Sequence, residues 1–389
     1  SSLVGSEMCI RDRMYGGTCI NIGCIPTKTL VHLSKLTPAG SSFEEKREYY
    51  RQAIARKEEV TSMLRKKNYH NLADNPYITV YTGTGSFEDK EVVKITTGSE
   101  VLRIKAPQIF INTGSETVIP PIEGIKDNPS VYTSTSIMEM KELPERLVIV
   151  GGGYIGLEFA SMYASFGAKV TVLELSLIHI SEPTSLVGSE MCIRDRDRDI
   201  ADSVKETLEK KGISFILNAK VQEIKGNTVV YRNAENGETH VLDADAILLA
   251  TGRRPNTREL RLEAAGVEVN ERGAIIVDEF LKTTNPQIRA IGDVKGGLQF
   301  TYISLDDYRI IREDLFGKQQ RTLNDRDPVS YSVFIDPPLS RIGMSEEEAR
   351  KTGRNFKVNK LPVTAIPRAK TLGETDGLFK VIILSLIHI

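Results

Sequence analysis

The sequence has few cysteines, almost no net charge and no long hydrophobic run. Its 389 residues include 51 basic and 52 acidic side chains, a formal charge of −1, so neither a nucleic-acid partner nor a polybasic membrane surface is expected. No apolar run approaches the roughly 18 residues needed to span a bilayer. Four cysteines are too few for a disulfide-stapled secreted scaffold, and no signal-peptide pattern is seen. These absences predict a cytoplasmic protein without nucleic-acid or membrane partners.

Two short segments occur twice with identical sequences. SLVGSEMCIRDR occupies residues 2–13 and 185–196, and LSLIHI occupies residues 175–180 and 384–389. Solenoid repeats recur at a fixed period and diverge in sequence, and these segments do neither. They resemble the translated read-through of sequencing-library adapters, and a duplicated surface peptide is the alternative. No chemical role is therefore assigned to Cys9, Cys192, His179 and His388.

The remaining residues show the pattern of a mixed α/β protein, and the length predicts two to three domains of about 150 residues each. A charged, periodic segment over residues 42–68 predicts a long exposed helix, and alternating runs over residues 77–114 predict a meander of short strands. Strand, glycine loop, helix and strand over residues 143–174 predict one βαβ half of a dinucleotide-binding fold. A helix over residues 200–211 follows, and later strands include one that ends at Asn256.

The segment MYGGTCINIGCIPTKTLVH contains the first candidate site. Cys19 and Cys24 could be inert core thiols or half of a metal site, but no second pair at ligand spacing completes a zinc site. Their spacing of about one helical turn allows a disulfide if the segment bends. Gly16 and Gly17 would let the backbone approach a flat cofactor, and Thr18 could cap the helix whose N-terminus lowers a thiolate pKa. We therefore interpret the two cysteines as a redox pair.

A second motif predicts a nucleotide site. Gly151, Gly153 and Gly156 follow a strand and open a helix, and Glu174 ends the next strand 18 positions after the last glycine. The glycines permit a tight turn and close approach of a pyrophosphate, and Glu174 would accept hydrogen bonds from the ribose. A chance glycine loop is the alternative. An acid at this position disfavours a 2′-phosphate, so NADH is preferred, and NADPH stays an alternative because a repeated segment begins directly after Glu174.

Four motifs together resemble one family. GGTCINIGCIPTK (residues 16–28), GGGYIGLE (151–158), ATGRRPN (250–256) and AIGDVKGG (290–297) resemble the FAD-dependent pyridine nucleotide-disulfide oxidoreductases. Dihydrolipoamide dehydrogenase, glutathione reductase and mercuric reductase are members of this family. The segments CINIGCIPTKTLVH and GGLQFTYISLDDYRI are most similar to its reactive-chlorine resistance flavoproteins.

The resemblance implies an α/β protein with two Rossmann-like three-layer domains, one for FAD and one for NAD(P)H, and the start of an α+β dimerisation domain. A homodimer is expected on the same ground. The FAD-binding domain is expected over residues 14–142 and 258–327, and the NAD(P)H-binding domain over residues 143–257, interrupted at about 175–196. The dimerisation domain is expected over residues 328–389.

The resemblance also implies residue roles. Cys24 would lie against the flavin and Cys19 would face the electron acceptor. Lys28 would sit near flavin N5 and pair with Glu158, and Tyr154 would cover the nicotinamide pocket. The residues expected at FAD are Gly16, Gly17, Thr18, Thr113, Gly114, Gly292 and Asp293. The residues expected at the nicotinamide nucleotide are Gly151, Gly153, Gly156, Glu174, Gly252 and Arg253.

The implied activity moves a hydride from NADH to FAD, then reduces the disulfide between Cys19 and Cys24, and then passes two electrons to a small molecule, oxidant or metal ion. No resident metal is expected. Dihydrolipoamide dehydrogenase, mercuric reductase and a non-catalytic nucleotide-binding fragment are the alternatives.

Two family features are not found in the sequence. They are a first strand with a GxGxxG loop for FAD and a late His-Glu pair, whose role none of His32, His70 and His240 can take. We therefore expect the chain as written to bind FAD poorly and not to turn over, while its intact parent is an active reductase.

Overall fold

The computed structural model describes residues 15–175, 197–326 and 328–384. The repeated segments lie outside these ranges, except for Leu175 and Leu384. The expectations for Cys9, Cys192, His179 and His388 therefore concern residues outside the described part. The same is true of the expectation that the segment from about 175 to 196 has no packed core.

Two short helices contain the cysteine motif, and a long helix follows them. They are α1 (Gly17–Asn21), α2 (Cys24–Ser34) and α3 (Phe43–Ala73). α3 confirms the predicted long helix. It begins at a capping box, in which the Ser42 N–H donates to Glu45 Oε2 at 2.7 Å and the Glu45 N–H donates to Ser42 Oγ at 3.3 Å.

Short strands follow α3, as the alternating pattern predicts. β1 (Thr84–Phe87), β2 (Val92–Thr97) and β3 (Glu100–Lys105) form an antiparallel sheet. β4 (Ile109–Ile111) pairs in parallel with β15 (Ile288–Ala290). This pairing joins two distant segments that were predicted to share the FAD-binding domain.

A five-stranded parallel sheet forms a second unit. Its strands, in order across the sheet, are β6 (Val131–Thr133), β13 (Ala246–Leu249), β7 (Arg146–Val150), β8 (Lys169–Glu174) and β9 (Ser214–Leu217). α4 (Tyr154–Phe166) connects β7 to β8, which confirms the predicted βαβ unit. All four residues of β13 are buried, as expected for a parallel strand covered on both faces.

α5 (Arg198–Lys210) precedes β9, and an antiparallel sheet of β10 (Ala219–Lys225), β11 (Thr228–Asn233) and β12 (Thr239–Asp243) packs beside the parallel sheet. The strand predicted to end at Asn256 is two strands, because the chain turns at Gly252, whose φ is +101°. The second of them, β14 (Arg253–Pro255), pairs antiparallel with β5 (Ser115–Thr117).

The last described part contains α6 (Thr301–Phe316) and two antiparallel hairpin pairs. Its remaining elements are β16 (Ser330–Val333), β17 (Leu339–Ile342), α7 (Glu346–Lys351), β18 (Phe356–Pro362), α8 (Pro367–Leu372) and β19 (Leu378–Leu384). Within the three described ranges, no helix is both long and apolar enough to cross a bilayer.

One core cluster holds the cysteine helix against the nucleotide helix. Leu30 of α2, Tyr50 of α3 and Tyr163 of α4 are all fully buried in it. The hydroxyl groups of Tyr50 and Tyr163 are 2.9 Å apart and hydrogen-bonded. Because α2 and α4 share this core, the N-terminal ends of both helices are positioned at the same cavity.

Candidate active site

A cavity of about 890 Å³ lies where α2, α4, α6 and the β16–β17 hairpin meet. This volume falls in the range of small-molecule and cofactor sites. Eleven of the predicted site residues line it: Gly16, Gly17, Thr18, Cys19, Cys24, Lys28, Gly114, Tyr154, Glu158, Arg253 and Asp293. The sequence-predicted redox pair and several predicted FAD contacts are therefore brought together.

The two cysteines are free thiols that hydrogen-bond to each other. Cys19 lies within α1 and Cys24 is the first residue of α2, and both are half-buried. The break between the helices at Gly23 provides the bend that a bridge between the sulfurs requires.

Thr18 does not cap a helix, so that prediction is wrong. The N-cap residues of α1 and α2 are Gly16 and Gly23, and neither end has a side-chain capping bond. The reason is that the cysteine motif folds as two helices, which leaves Thr18 inside the first. Cys24 itself then lies at a helix N-terminus, where the helix dipole favours a thiolate.

The pKa values of the two thiols are shifted in opposite directions. The hydrogen bond from Cys19 lowers the pKa of Cys24 to about 6, against an opposing effect of burial and with help from Thr301 and Lys28. The same bond raises the pKa of Cys19, and burial raises it further. The negative charge of the pair therefore resides on Cys24, the sulfur that the resemblance assigns to the flavin.

Lys28 and Glu158 do not form the expected direct ion pair. Lys28 Nζ lies 4.5 Å from the ring centroid of Phe334, and the Phe334 N–H donates to Glu158 Oε1 at 2.9 Å. Phe334 therefore contacts both charged groups, and Lys28 acts on Glu158 through its electrostatic field. Burial is the main cause that raises the pKa of Glu158 to about 7.

Tyr154 is the first residue of α4 and lines the cavity beside the sulfurs. Burial raises the pKa of its phenol, so the hydroxyl stays protonated near neutral pH. Because α4 begins directly after the glycine loop, this helix joins the predicted nicotinamide nucleotide site to the cavity that contains the cysteines.

Asp293 is connected to Arg253 through a serine. Ser115 Oγ donates to Asp293 Oδ2 at 2.9 Å and accepts from Arg253 Nε at 2.9 Å. Burial raises the pKa of Asp293, which Ser115 and Arg253 partly oppose. Arg253, which was expected at the nicotinamide nucleotide, lies on the wall of the cysteine cavity with Asp293.

Three predicted residues act behind the cavity wall. Thr113 is buried and donates its hydroxyl to the Asn256 carbonyl at 2.8 Å. The Gly292 N–H donates to Asp307 Oδ2 at 2.7 Å, and the Gly252 carbonyl accepts from Val118. None of the three lines the cavity, so each supports the backbone next to a lining residue.

The glycine loop has the close backbone contacts that its motif predicts. A Cβ at Gly156 would lie 2.1 Å from the Gly151 carbonyl oxygen, and a Cβ at Gly151 would lie 2.4 Å from the Ala250 carbonyl oxygen. Gly153 is the N-cap residue of α4. Glu174 accepts a hydrogen bond from the Gly152 N–H at 2.5 Å. Loop, helix N-terminus and acid thus fit a dinucleotide, with phosphates at the loop and ribose at Glu174.

The cavity likewise fits a flavin. The reduced thiols, the Lys28 ammonium and the half-buried Asp293 carboxylate surround a space with mostly uncharged walls. Sequence reasoning missed Ser115, Thr301 and Phe334. Thr301 lies in the segment GGLQFTYISLDDYRI, and Ser115 directly follows Gly114, but the residue types alone do not indicate a site.

The described residues contain no group of three or more His, Cys, Asp or Glu side chains that could hold a metal ion.

Comparisons with known proteins match this arrangement. The family model of the pyridine nucleotide-disulphide oxidoreductases matches residues 5–307, and the model of their dimerisation domain matches residues 329–385. The dimerisation domain supports a homodimer.

Three curated or solved relatives represent the range of similarity. The probable pyridine nucleotide-disulfide oxidoreductase RclA of Escherichia coli (strain K12) is 49% identical over 371 residues, which cover 95% of this chain and 78% of the relative. A mercuric reductase of Lysinibacillus sphaericus is 32% identical, with 94% of this chain and 65% of the relative covered. A solved Cu(II) complex of the HOCl-induced flavoprotein disulfide reductase RclA from Escherichia coli aligns with a TM-score of 0.84 at 48% identity, covering 96% of this chain and 79% of that chain.

The predicted fold class, the oxidoreductase activity and the use of FAD and NAD(P)H are therefore confirmed at the level of the family. The chain belongs to the pyridine nucleotide-disulphide oxidoreductases and is an RclA-like flavoprotein disulfide reductase, related to mercuric reductase and dihydrolipoyl dehydrogenase.

Proposed function

We propose that Cys19 and Cys24 are the redox centre through which this protein passes electrons from a nicotinamide nucleotide to a metal ion or an oxidant. The observation that carries the proposal is the contact between the two thiols at the wall of one cavity, with the charge held on Cys24. FAD and NADH, when bound, would supply hydride transfer and the two electrons that reduce the disulfide.

The residues around the cavity have separate tasks in this proposal. Cys24 is held as a thiolate on the cofactor side, and Lys28 supplies positive charge beside it. Asp293, supported by Ser115 and Arg253, would accept hydrogen bonds from FAD. Tyr154 would cover the nicotinamide side of the cavity and limit access of water.

Glu174 would select the nicotinamide nucleotide. Its carboxylate is fixed next to the glycine loop by the Gly152 N–H, where it would accept hydrogen bonds from ribose hydroxyls and repel a 2′-phosphate. NADH is therefore the preferred donor.

A metal ion is the acceptor class that the relatives favour, since one is a mercuric reductase and another was solved as a Cu(II) complex. Thiols are suitable ligands for soft ions. In the proposed step the two thiols lose two protons and two electrons and close to a disulfide, while two Cu(II) ions become two Cu(I) ions.

An anaerobic titration tests the redox centre. We expect NADH to produce a long-wavelength charge-transfer band in the protein reconstituted with excess FAD, because a Cys24 thiolate would lie against the flavin. Cys24→Ser should abolish the band, whereas Thr29→Val, which alters the same helix away from the sulfur, should leave it. If the band persisted in Cys24→Ser, Cys24 would not be the thiolate that lies against the flavin.

The acceptor is tested by comparing Cu(II), hypochlorous acid and oxidised lipoamide as oxidants of the NADH-reduced protein. We expect Cu(II) to be reduced, detected as Cu(I) bound by a chelator, and Cys19→Ser to reduce the rate at least about tenfold. Faster reduction of lipoamide than of Cu(II) would favour a dihydrolipoyl dehydrogenase function instead.

A further inference from the structure

A hydroxyl group from a distant part of the chain contacts the charged sulfur. Thr301 Oγ1 lies 3.4 Å from Cys24 Sγ, although 277 positions separate the two residues. Thr301 is the first residue of α6 and lines the same cavity as Cys24. The motifs in the sequence assign it no role.

The position of Thr301 is set by helix geometry. The preceding residue, Phe300, is the N-cap of α6 in extended conformation, with φ −121° and ψ 148°, and makes no side-chain capping bond. The Thr301 hydroxyl is thus not used to cap its own helix. Cys24 is likewise the first residue of α2, so two helix N-termini, each with a partial positive charge, meet at the sulfur.

Other groups around Cys24 act on its charge from several elements. Cys19 of α1 and Lys28 of α2 favour the thiolate. Glu158 and Tyr154 of α4 are the acidic groups whose own pKa values the Cys24 charge raises. The other charged or titratable side chains on the cavity wall are Arg253, Asp293, Tyr302, Tyr331 and Arg341.

Three neutral hydrogen-bond donors favour the thiolate: the Cys19 thiol, the Thr301 hydroxyl and the backbone N–H of Cys24. A thiolate accepts hydrogen bonds and cannot donate, so both the Cys19 thiol and the Thr301 hydroxyl must donate when Cys24 is charged. The Cys19 thiol is also the group expected to react with the acceptor. Once Cys19 has reacted, its hydrogen is no longer donated to Cys24, and the Thr301 hydroxyl is the neutral side-chain donor that remains beside the Cys24 backbone N–H.

We propose that Thr301 is a positioning residue whose hydroxyl stabilises the negative charge on Cys24. The inference rests on the proposed function, in which the two sulfurs have unequal roles. A hydrogen bond to a charged acceptor is stronger than one between neutral groups. Thr301 is solvent-exposed, so water competes with its hydroxyl and a moderate effect is expected.

The test is a pH titration of thiolate ultraviolet absorbance in the reduced protein, with Cys9 and Cys192 replaced by Ala so that only Cys19 and Cys24 contribute. Thr301→Val should raise the apparent pKa of Cys24 by about half a unit to one unit, which is a roughly three- to tenfold change in proton affinity. Thr301→Ser keeps a hydroxyl and should restore the wild-type titration.

Two matched variants separate this role from a general effect on folding. Thr29→Val removes a hydroxyl from α2 that bonds the Ile25 carbonyl at 2.8 Å, and it should leave the titration unchanged. In a Cys19→Ala background the effect of Thr301→Val should persist, because Thr301 is then the remaining neutral side-chain donor to Cys24.

An unchanged titration in Thr301→Val, or equal shifts in Thr301→Val and Thr301→Ser, would overturn the inference. The proposed function is tested separately in the same assay. If Cys24→Ser left the low-pKa transition in place, the assignment of the thiolate to Cys24 would fail whatever Thr301 does.

Discussion

Glu158 has 8% of its surface exposed, yet it carries an ionisable carboxyl group beside the sulfurs. Its Oε1 accepts the Phe334 N–H, and burial raises its pKa to about 7. A carboxyl group with a higher pKa when folded binds more protons when folded. The stability that the protonated Glu158 carboxyl group contributes is therefore fully present below about pH 4.5 and is lost as the pH rises through about 7.

Replacing this carboxylate should change the pH dependence of stability. Glu158→Gln keeps an oxygen that can accept the Phe334 N–H but cannot ionise. We expect the free energy of unfolding of the variant, relative to the original protein, to grow by roughly 2 to 3 kcal/mol between about pH 5 and pH 8. The measurement is a series of urea unfolding curves across this pH range.

Glu59→Gln is the control for that series. Glu59 lies on α3 with a side chain that is 67% exposed, in an ion pair with Arg56. Exposed pairs of this kind contribute little, so the same comparison should give a nearly flat line. A flat line for Glu158→Gln as well would mean that the carboxyl group is not perturbed.

The residues at the site differ in how far the sequence alone identified them. Cys19 and Cys24 could be interpreted as a redox pair from their spacing and neighbours, and their contact agrees with that interpretation. Lys28 and Glu158 do not pair directly, and each instead contacts Phe334, which is 306 positions after Lys28 in the sequence. No local pattern contains that information.

At the scale of elements, the β7–α4–β8 unit agrees most closely with its prediction. A strand, a glycine loop and an apolar helix are each determined by neighbours in sequence, so this unit could be predicted within a few residues. The close approach of α4 to the loop depends on Gly156, where a Cβ would meet a carbonyl oxygen at 2.1 Å.

Gly156→Ala should therefore displace α4 from the loop. Because the clash is with backbone, we expect a loss of roughly 1 to 3 kcal/mol in stability and at least about tenfold weaker NADH binding. Isothermal titration with NADH and thermal unfolding would measure the two effects.

Ala164→Ser is the matched variant for Gly156→Ala, since it adds one heavy atom to the same helix at a partly buried position near its end. It should leave NADH binding within about twofold, because it lies away from the loop. Equal effects of the two variants would show that α4 tolerates no change anywhere, and the specific role of Gly156 would be rejected.

The cysteine segment is an element that the sequence described less well. It was expected to form one capped helix, and it forms α1 and α2 with a break at Gly23. Only the second of these helices, α2, contributes to the core shared with α3 and α4, whose residues are distant in sequence.

At the scale of the whole molecule, α6 connects the cavity to the strand pair β4 and β15. Thr301 at its start contacts Cys24, and Asp314 near its end pairs with Arg289 of β15. Both members of this second pair are 3% exposed. The pair therefore anchors α6 to the parallel strands β4 and β15.

Breaking that pair should destabilise the protein more than any exposed pair does. Asp314→Asn leaves the Arg289 charge buried with two neutral acceptors, the Phe280 carbonyl at 2.8 Å and Gln108 Oε1 at 3.5 Å. We expect a loss of about 3 to 5 kcal/mol in the free energy of unfolding, measured by urea denaturation.

Glu91→Gln is the comparison for Asp314→Asn, because it breaks an exposed ion pair. The side chains of Lys105 and Glu91 in this pair are 66% and 58% exposed. Less than about 1 kcal/mol should be lost there. If Asp314→Asn cost no more than Glu91→Gln, burial of the ion pair would not be what holds α6 in place.

The sequence by itself determined the α/β class, the glycine loop with its acid, the long capped helix and the identity of the two sulfurs, because each depends on residues within about twenty positions of one another. The tertiary structure alone decided which side chains meet those sulfurs. Thr301, Phe334 and the link from Arg253 through Ser115 to Asp293 all come from segments separated by more than a hundred residues. Such contacts arise from the packing of helices and sheets around shared cores, and no local spacing specifies them.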